Sequence, residues 1–193
     1  MTRWTGLALI AALALSGCAS SNAPQTYDLS APRDFGARSG GSRGQLVVAE
    51  PKAIANLDSE RIAIRGQGGA ISYLSDGAWG DRLPKLVQAR MIQAFENANR
   101  LRSVGRPGDR LASDWQLLTD IRAFEVVVAG APEVQVELSV KLVNDRTGRI
   151  LAAEVFGGKA TAPGTDARAV ASAFDATLQQ VLRQVVVWAS GRV

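Results

Sequence analysis

Apolar residues recur along this chain with two periods, and the changes from one period to the other divide it into elements. The clearest run is Val134, Val136, Leu138, Val140 and Leu142, alternating with Gln135, Glu137, Ser139 and Lys141. A period of two predicts a strand with one buried face. Trp115, Leu117, Thr119, Ile121 and Ala123 alternate in the same way with Gln116, Leu118, Asp120, Arg122 and Phe124. Turn chemistry at Asn144-Asp145-Arg146-Thr147-Gly148 leads into a third run, Ile150 to Phe156, which completes an antiparallel meander. Upstream, Ile62 and Ile64 alternate with Arg61, Ala63 and Arg65, and the glycine-rich Gly66-Gln67-Gly68-Gly69 predicts a hairpin to Ala70–Leu74. Leu46 to Glu50 reads as a strand stopped by Pro51, and Ile54 to Asp58 as its crossing to the next. Tyr27-Asp28-Leu29 and Leu101 to Val104 are short strand candidates, the latter followed by a turn at Arg106–Asp109.

Two segments carry the helical period. Leu83, Leu86, Val87, Met91, Ala94, Phe95 and Ala98 recur at three- and four-residue steps, with Pro84 in the first turn. Asp81 is the expected N-cap, and the helix is expected to fade between Asn97 and Arg100. A second stripe runs Val170, Ala173, Phe174, Leu178, Val181, Leu182, Val185, Ala189, with Thr165 or Asp166 as its cap. Together these predict a single-domain α+β fold over residues 45–193: a mostly antiparallel sheet of about six strands with two amphipathic helices on one face. Residues 18–44, rich in Gly, Ser and Arg from Pro32 onward, predict a tether and loop. A wholly flexible stretch from Ala19 to Gly44 would span about 25–30 Å, a leash that pairing at Tyr27–Leu29 would shorten.

The N-terminal pattern belongs to neither period. Arg3 precedes Trp4, Leu7, Leu9, Ile10, Leu13 and Leu15 on an alanine-rich background. A short basic start, an apolar core and small residues before a cut site describe a secretory signal over residues 1–17. The run falls short of the ~20 apolar residues that a membrane-spanning helix needs. Leu15-Ser16-Gly17-Cys18 resembles the lipobox of bacterial lipoproteins. That resemblance implies cleavage between Gly17 and Cys18, a diacylglycerol on the Cys18 thiol and an acyl chain on the new amine. An ordinary signal peptide with a chance cysteine is the other reading.

Composition narrows the chemistry. The chain has 193 residues, 47% of them apolar, a single Cys and no His. With Cys18 acylated, no thiol remains for a disulfide or a structural zinc site, and the commonest general base is missing altogether. Loss of Arg3 lowers the formal charge from +4 to +3. In an exported chain, anionic headgroups or an acidic protein suit that balance better than nucleic acid, and a solvated Arg-rich surface is the plainest account. Gly66 to Ile71 fails as a dinucleotide loop, because Ile71 holds the last glycine position and no helix follows. A Walker sequence is lacking. The pairs Asp58/Glu60 and Glu133/Glu137 read as solvated carboxylates, and Ser139 and Lys141 share an exposed-looking strand face with no nucleophile motif. The expectation is a non-enzyme without cofactor or metal. Tyr73, Trp79 and Trp115 flank turns or strand starts; core anchoring is the common explanation, and for Tyr73 and Trp79 an exposed interface anchor is the sharper one.

The order of pieces resembles the ABC-type transport auxiliary lipoprotein family. It runs from Cys18 through Tyr27-Asp28-Leu29, Leu46 to Pro51, Leu57-Asp58, Arg61–Arg65 and Ile71-Ser72-Tyr73-Leu74 to Trp79 and the helix with Leu83-Pro84 and Leu86. It continues with Val134–Leu142, Gly148, Phe156 and the last helix, although Leu74 stands where relatives tend to carry a second aromatic. The resemblance implies a non-catalytic, PqiC-like subunit beside an MCE-domain protein and separate ABC permease and ATPase chains. The cargo would be phospholipid or another hydrophobic molecule moved between two membranes, in support of outer-membrane integrity. It further implies a homo-oligomeric ring on the outer membrane, and Ala19, in place of an inner-membrane-retaining Asp, agrees with that sorting. A lipoprotein for envelope assembly or secretion is the alternative, and a periplasmic hydrolase a remoter one.

Overall fold

The computed structural model describes residues 23–36, 44–128 and 130–193. Nine strands and two helices follow one another in these residues. They are β1 (Gln25–Tyr27), β2 (Gln45–Val48), β3 (Lys52–Ala53), β4 (Arg61–Arg65), β5 (Ile71–Trp79), α1 (Leu83–Ala98), β6 (Ser103–Gly105), β7 (Trp115–Val127), β8 (Glu133–Asn144), β9 (Ile150–Thr161) and α2 (Ala167–Ser190).

The sheet is built around β7. Along one side β8 pairs with it antiparallel, from Trp115 opposite Asn144 to Val127 opposite Glu133. Along the other side three short strands line up parallel to it in succession. Leu46–Val48 lies beside Trp115–Leu117, Lys52–Ala53 beside Asp120–Ile121, and Ala63–Arg65 beside Glu125–Val127. From there β5 folds back antiparallel on β4 and β1 adds parallel to β5, while β6 adds parallel to β2. β9 continues the meander from β8. The α+β class and the meander are as the pattern predicts. The strand number is nine, not about six, and five short pairings are parallel beside three antiparallel ones. A period of two shows which face a strand buries and is silent about its neighbour, so the parallel pairings leave no trace in the pattern.

The inward set of β8 is as the alternation predicts: Val134, Val136, Leu138, Val140 and Leu142 are all fully buried, and Ser139 and Val143 on the other face are nearly so. In β7 the alternation holds only to Ile121. The register shifts between Ile121 and Ala123, so Arg122 is the extra residue of a bulge. Beyond it the inward set becomes Phe124 and Val126, with Phe124 1% exposed, although strict alternation assigns Phe124 to the opposite face. The correction matters for packing. Phe124 stacks on Phe174 of α2 at 4.8 Å, and Trp79 meets both rings edge-on at 5.7 and 5.5 Å. Such ring pairs contribute beyond their buried area, by about 0.5–1.5 kcal/mol each.

The helices lie over this face. α2 begins where expected: the Asp166 carboxylate accepts from the Ala169 amide at 3.0 Å. α1 does not begin as expected. Asp81 accepts from its neighbour Arg82 instead, and the Leu83 amide donates to the Ser59 carbonyl at 3.0 Å, so the preceding loop satisfies the helix start. α1 ends at Ala98, with Asn99 at φ 50° as its left-handed cap. Two glycines let α2 approach the sheet. A Cβ on Gly77 would lie 2.5 Å from that of Ala167, and one on Gly158 2.9 Å from Cγ2 of Thr177.

Residues 25–36, expected to lie in a tether and loop, are held along the domain. The strand here is Gln25–Tyr27 rather than Tyr27–Leu29, and Leu29 is buried in the core. Past it, the amide and hydroxyl of Ser30 both donate to Asp175 of α2, at 2.6 and 2.8 Å. Asp28 pairs with Arg90 of α1 at 2.5 Å, Asn97 donates to the Pro32 carbonyl and Arg100 to that of Phe35. The segment is a strap across both helices. β5 is longer than expected, running from Ile71 to Trp79, and the short strand after α1 is Ser103–Gly105.

Candidate functional site

Three regions could carry function, and the first is the N-terminal end. Gly17 and Cys18 lie outside the described residues. The chain becomes described at Ala23, beside a shallow hollow lined by Gln25, Tyr27, Asp76, Asp166 and Arg168. A helix N-terminus there would ordinarily favour an anion. At this one, carboxylates already occupy the first turn: Asp166 caps Ala169 and Asp76 accepts from the Ala167 amide at 3.3 Å. The Ala167 and Ala169 amides of that first turn therefore already serve carboxylates.

The second region is the set of charged side chains singled out in the sequence, and they do not converge. Asp58 and Glu50 both serve Arg82 at the start of α1, Asp58 through Nε and Nη2, Glu50 at 3.2 Å. Those contacts, led by the hydrogen bond to Asp58, raise the Arg82 pKa. Glu133 pairs with Lys159 at 3.1 Å, Glu137 faces Arg122 at 3.8 Å and Lys141 faces Asp120 at 3.9 Å. These are separate cross-strand pairs, worth little individually. Glu60 is exposed. Ser139 is buried rather than exposed, at 7%, because it sits mid-sheet between Asp120 and Val155. One pair missed by the sequence reading is tighter: Glu125, 4% exposed, accepts from Nε and Nη2 of Arg65 at 2.5 and 2.9 Å. The hydrogen bond and the charge of Glu125, in that order, raise the Arg65 pKa against the cost of burial. This bidentate contact clamps β4 to β7 and leaves no oxygen directed at a cleft. Among the described residues, no group of three His, Cys, Asp or Glu side chains is placed to hold a metal. The glycine turn, a single 3-10 turn at Gln67–Gly69, forms the tip of the β4–β5 hairpin and leads into a strand.

The aromatic candidates separate. Trp79 is 1% exposed between Phe124 and Phe174 and offers no surface to a partner; the core reading applies to it. Tyr73 is half-buried with the Arg61 guanidinium 3.5 Å above its ring, a cation–π contact at the surface.

The third region is β9, which the sequence reading did not single out. Of its residues only Phe156 is buried, against Trp188 at 5.5 Å, while Ile150, Leu151 and Val155 are 59, 49 and 45% exposed. Its signal in the sequence is a lack of polar residues where a solvated edge would place them: Ala152, Ala153, Val155, Gly157 and Gly158 surround the lone Glu154. Among the described residues, no helix is long and apolar enough to cross a membrane.

The family model described as the ABC-type transport auxiliary lipoprotein component matches residues 27–186. An uncharacterized protein of Bradyrhizobium diazoefficiens is 32% identical over 163 residues, covering 84% of this chain and 44% of that protein. The chain thus spans under half the length of that curated relative. Among solved structures, a protein of Xanthomonas campestris assigned to family DUF330 superposes with a TM-score of 0.75 at 29% identity, covering 87% of this chain and 94% of the other. A protein of Chlamydia trachomatis shares the fold at a TM-score of 0.58 and 9% identity, covering 78% of this chain and 98% of that one.

Proposed function

We propose, from the premise that this chain belongs to the family of ABC-type transport auxiliary lipoprotein components, that it serves as a lipid-anchored, non-catalytic binding subunit of an envelope transporter. The observation that carries the reading is the family match across residues 27–186, from the end of β1 to the last turns of α2. In this reading the ABC permease and ATPase are separate chains, an MCE-domain protein spans the gap between membranes, and the cargo is phospholipid or another hydrophobic molecule. The separate, mutually neutralised ion pairs support a binding role over chemistry.

The anchor in this reading is Cys18, acylated after cleavage at Gly17. Four residues lie between it and Ala23, so the reach is at most about 18 Å. Because β1 is fixed to β5 and the strap to both helices, that reach is the whole leash, well below what a free residue 19–44 segment allows. The β1 end of the sheet and the start of α2 then lie against the bilayer, which we assign to the outer membrane. Tyr73 with Arg61 remains the aromatic contact candidate.

Affinity purification of the tagged full-length protein from native membranes tests the reading. Co-recovery of a permease, an ATPase and an MCE-domain chain is expected. Recovery with envelope-assembly or secretion proteins and none of these would replace it with the alternative.

A further inference from the structure

The ends of five strands fall in one row across the sheet: Ile71 opposite Arg65, Arg65 opposite Val127, Val127 opposite Glu133 and Glu133 opposite Thr161. Three connections project past this row: the β4–β5 hairpin tip, the β7–β8 turn and the link from β9 to α2. They are joined side by side, the Val128 amide donating to the Arg65 carbonyl at 3.0 Å and the Ala162 amide to the Pro132 carbonyl at 2.9 Å. Charged residues make up 21% of the chain, yet none occurs within 66–75, 126–132 or 160–165. The two charges in the row itself are turned back from the tips, Arg65 to Glu125 and Glu133 to Lys159. What the tips offer instead is Ile71 and Val128, 37 and 41% exposed, with Ala70, Ala131 and Pro163 also exposed. The opposite end of the sheet is the reverse: Asp145, Arg146 and Arg149 lie in or beside the β8–β9 turn, and the Asp145 amide binds the Asp114 carbonyl.

We infer that these three tips form a lipid-contact surface, which rests in the headgroup layer of the bilayer that holds the Cys18 anchor. The inference rests on the anchor proposed above and adds the part of the domain that touches lipid. Leash length selects the occupant. β1 runs parallel to β5 with Gln25 opposite Gly77, so the chain ahead of Gln25 points back toward Ile71. Ile71 lies six residues along β5 from Gly77, about 20 Å. From Cys18 to Gln25 is seven residues, a reach of at most about 25 Å. An acylated Cys18 can therefore come level with the tips, with little slack beyond them. Chemistry selects the depth. Turns leave backbone groups that hydrocarbon cannot satisfy, so only the side chains of Ile71 and Val128 reach the acyl boundary. Tyr73, two residues up the strand beneath the Arg61 guanidinium, then stands at headgroup level, where amphipathic rings are favoured. The hollow beside Ala23, with Asp76, Asp166 and Arg168, keeps its charges in water or among the headgroups.

The test uses the lipidated full chain, made in the native host and reconstituted into vesicles of phosphatidylethanolamine and phosphatidylglycerol. With Cys18 acylated, an introduced cysteine is the only free thiol. Val128→Cys, Ile71→Cys and Arg146→Cys each take an environment-sensitive fluorophore; all three sites are exposed, so the unfolding midpoint should stay that of wild type. In chains that float with the vesicles, probes at 71 and 128 should be quenched severalfold more than the probe at 146 by lipid carrying a nitroxide high on its acyl chain. Floating chains with equal quenching at all three positions would overturn the lipid-contact surface and leave the anchor standing. Chains that fail to float would overturn the anchor and the inference with it.

Discussion

β8 and β9 are neighbours, both twelve residues long, joined by one turn and paired along nearly their full length. They have opposite fates. Five inward side chains of β8 are fully buried between β7, β9 and the helices, whereas β9 buries Phe156 alone. Both strands are apolar enough to sit in a core. What separates them is the number of strand neighbours among the described residues: β8 has two, β9 has one. Apolar content thus measures what a strand is able to bury, and position in the sheet decides what is left for a partner.

Substitutions can break this contrast in order of expected effect. Phe156→Ala removes the one anchor of β9, its ring against Trp188, and should cost about 3–5 kcal/mol, as should Trp79→Ala between its two phenylalanines. A mild Phe156→Ala, read as the urea midpoint, would mean that β9 is not packed at all. Leu138→Ala in β8 should cost about 2–5 kcal/mol by the same measurement. Gly158→Val drives a side chain into Thr177 and Val181 of α2, for a loss of about 1–3 kcal/mol in thermal unfolding. The two helix starts give a smaller contrast. Asp166→Ala should cost about 1 kcal/mol, while Asp81→Ala should stay within about 0.5 kcal/mol, since the Ser59 carbonyl serves the α1 entry. At the low end, Val155→Ala should leave the stability of the single chain within about 0.5 kcal/mol.

The legibility of the fold in the sequence follows the same physics. β8, α1 and α2 were readable because each buries one continuous face, so the period and the burial coincide. β7 was readable as far as Arg122, where one inserted residue exchanges the faces and sends Phe124 into the core. The strap from Asp28 to Phe35 has no period, because it is held by hydrogen bonds to α1 and α2 from residues more than sixty positions away. Among the site candidates, Trp79 was named as a possible interface anchor, yet it lies buried between Phe124 and Phe174. The clamp of Arg65 on Glu125 was hidden, since parallel pairing of β4 with β7 brings together residues sixty apart. Cys18 was legible only through the resemblance of Leu15–Cys18 to a lipobox and lies outside the described residues.

In the proposed function, Cys18 anchors the domain at a membrane and sets its place there. Membrane fractionation of wild type and Cys18→Ala, both made in the native host, tests it directly. The wild type should sediment with membranes and leave them only with detergent, while Cys18→Ala should appear in the soluble fraction with the same unfolding midpoint. A Cys18→Ala chain that stayed firmly with the membrane would contradict the account.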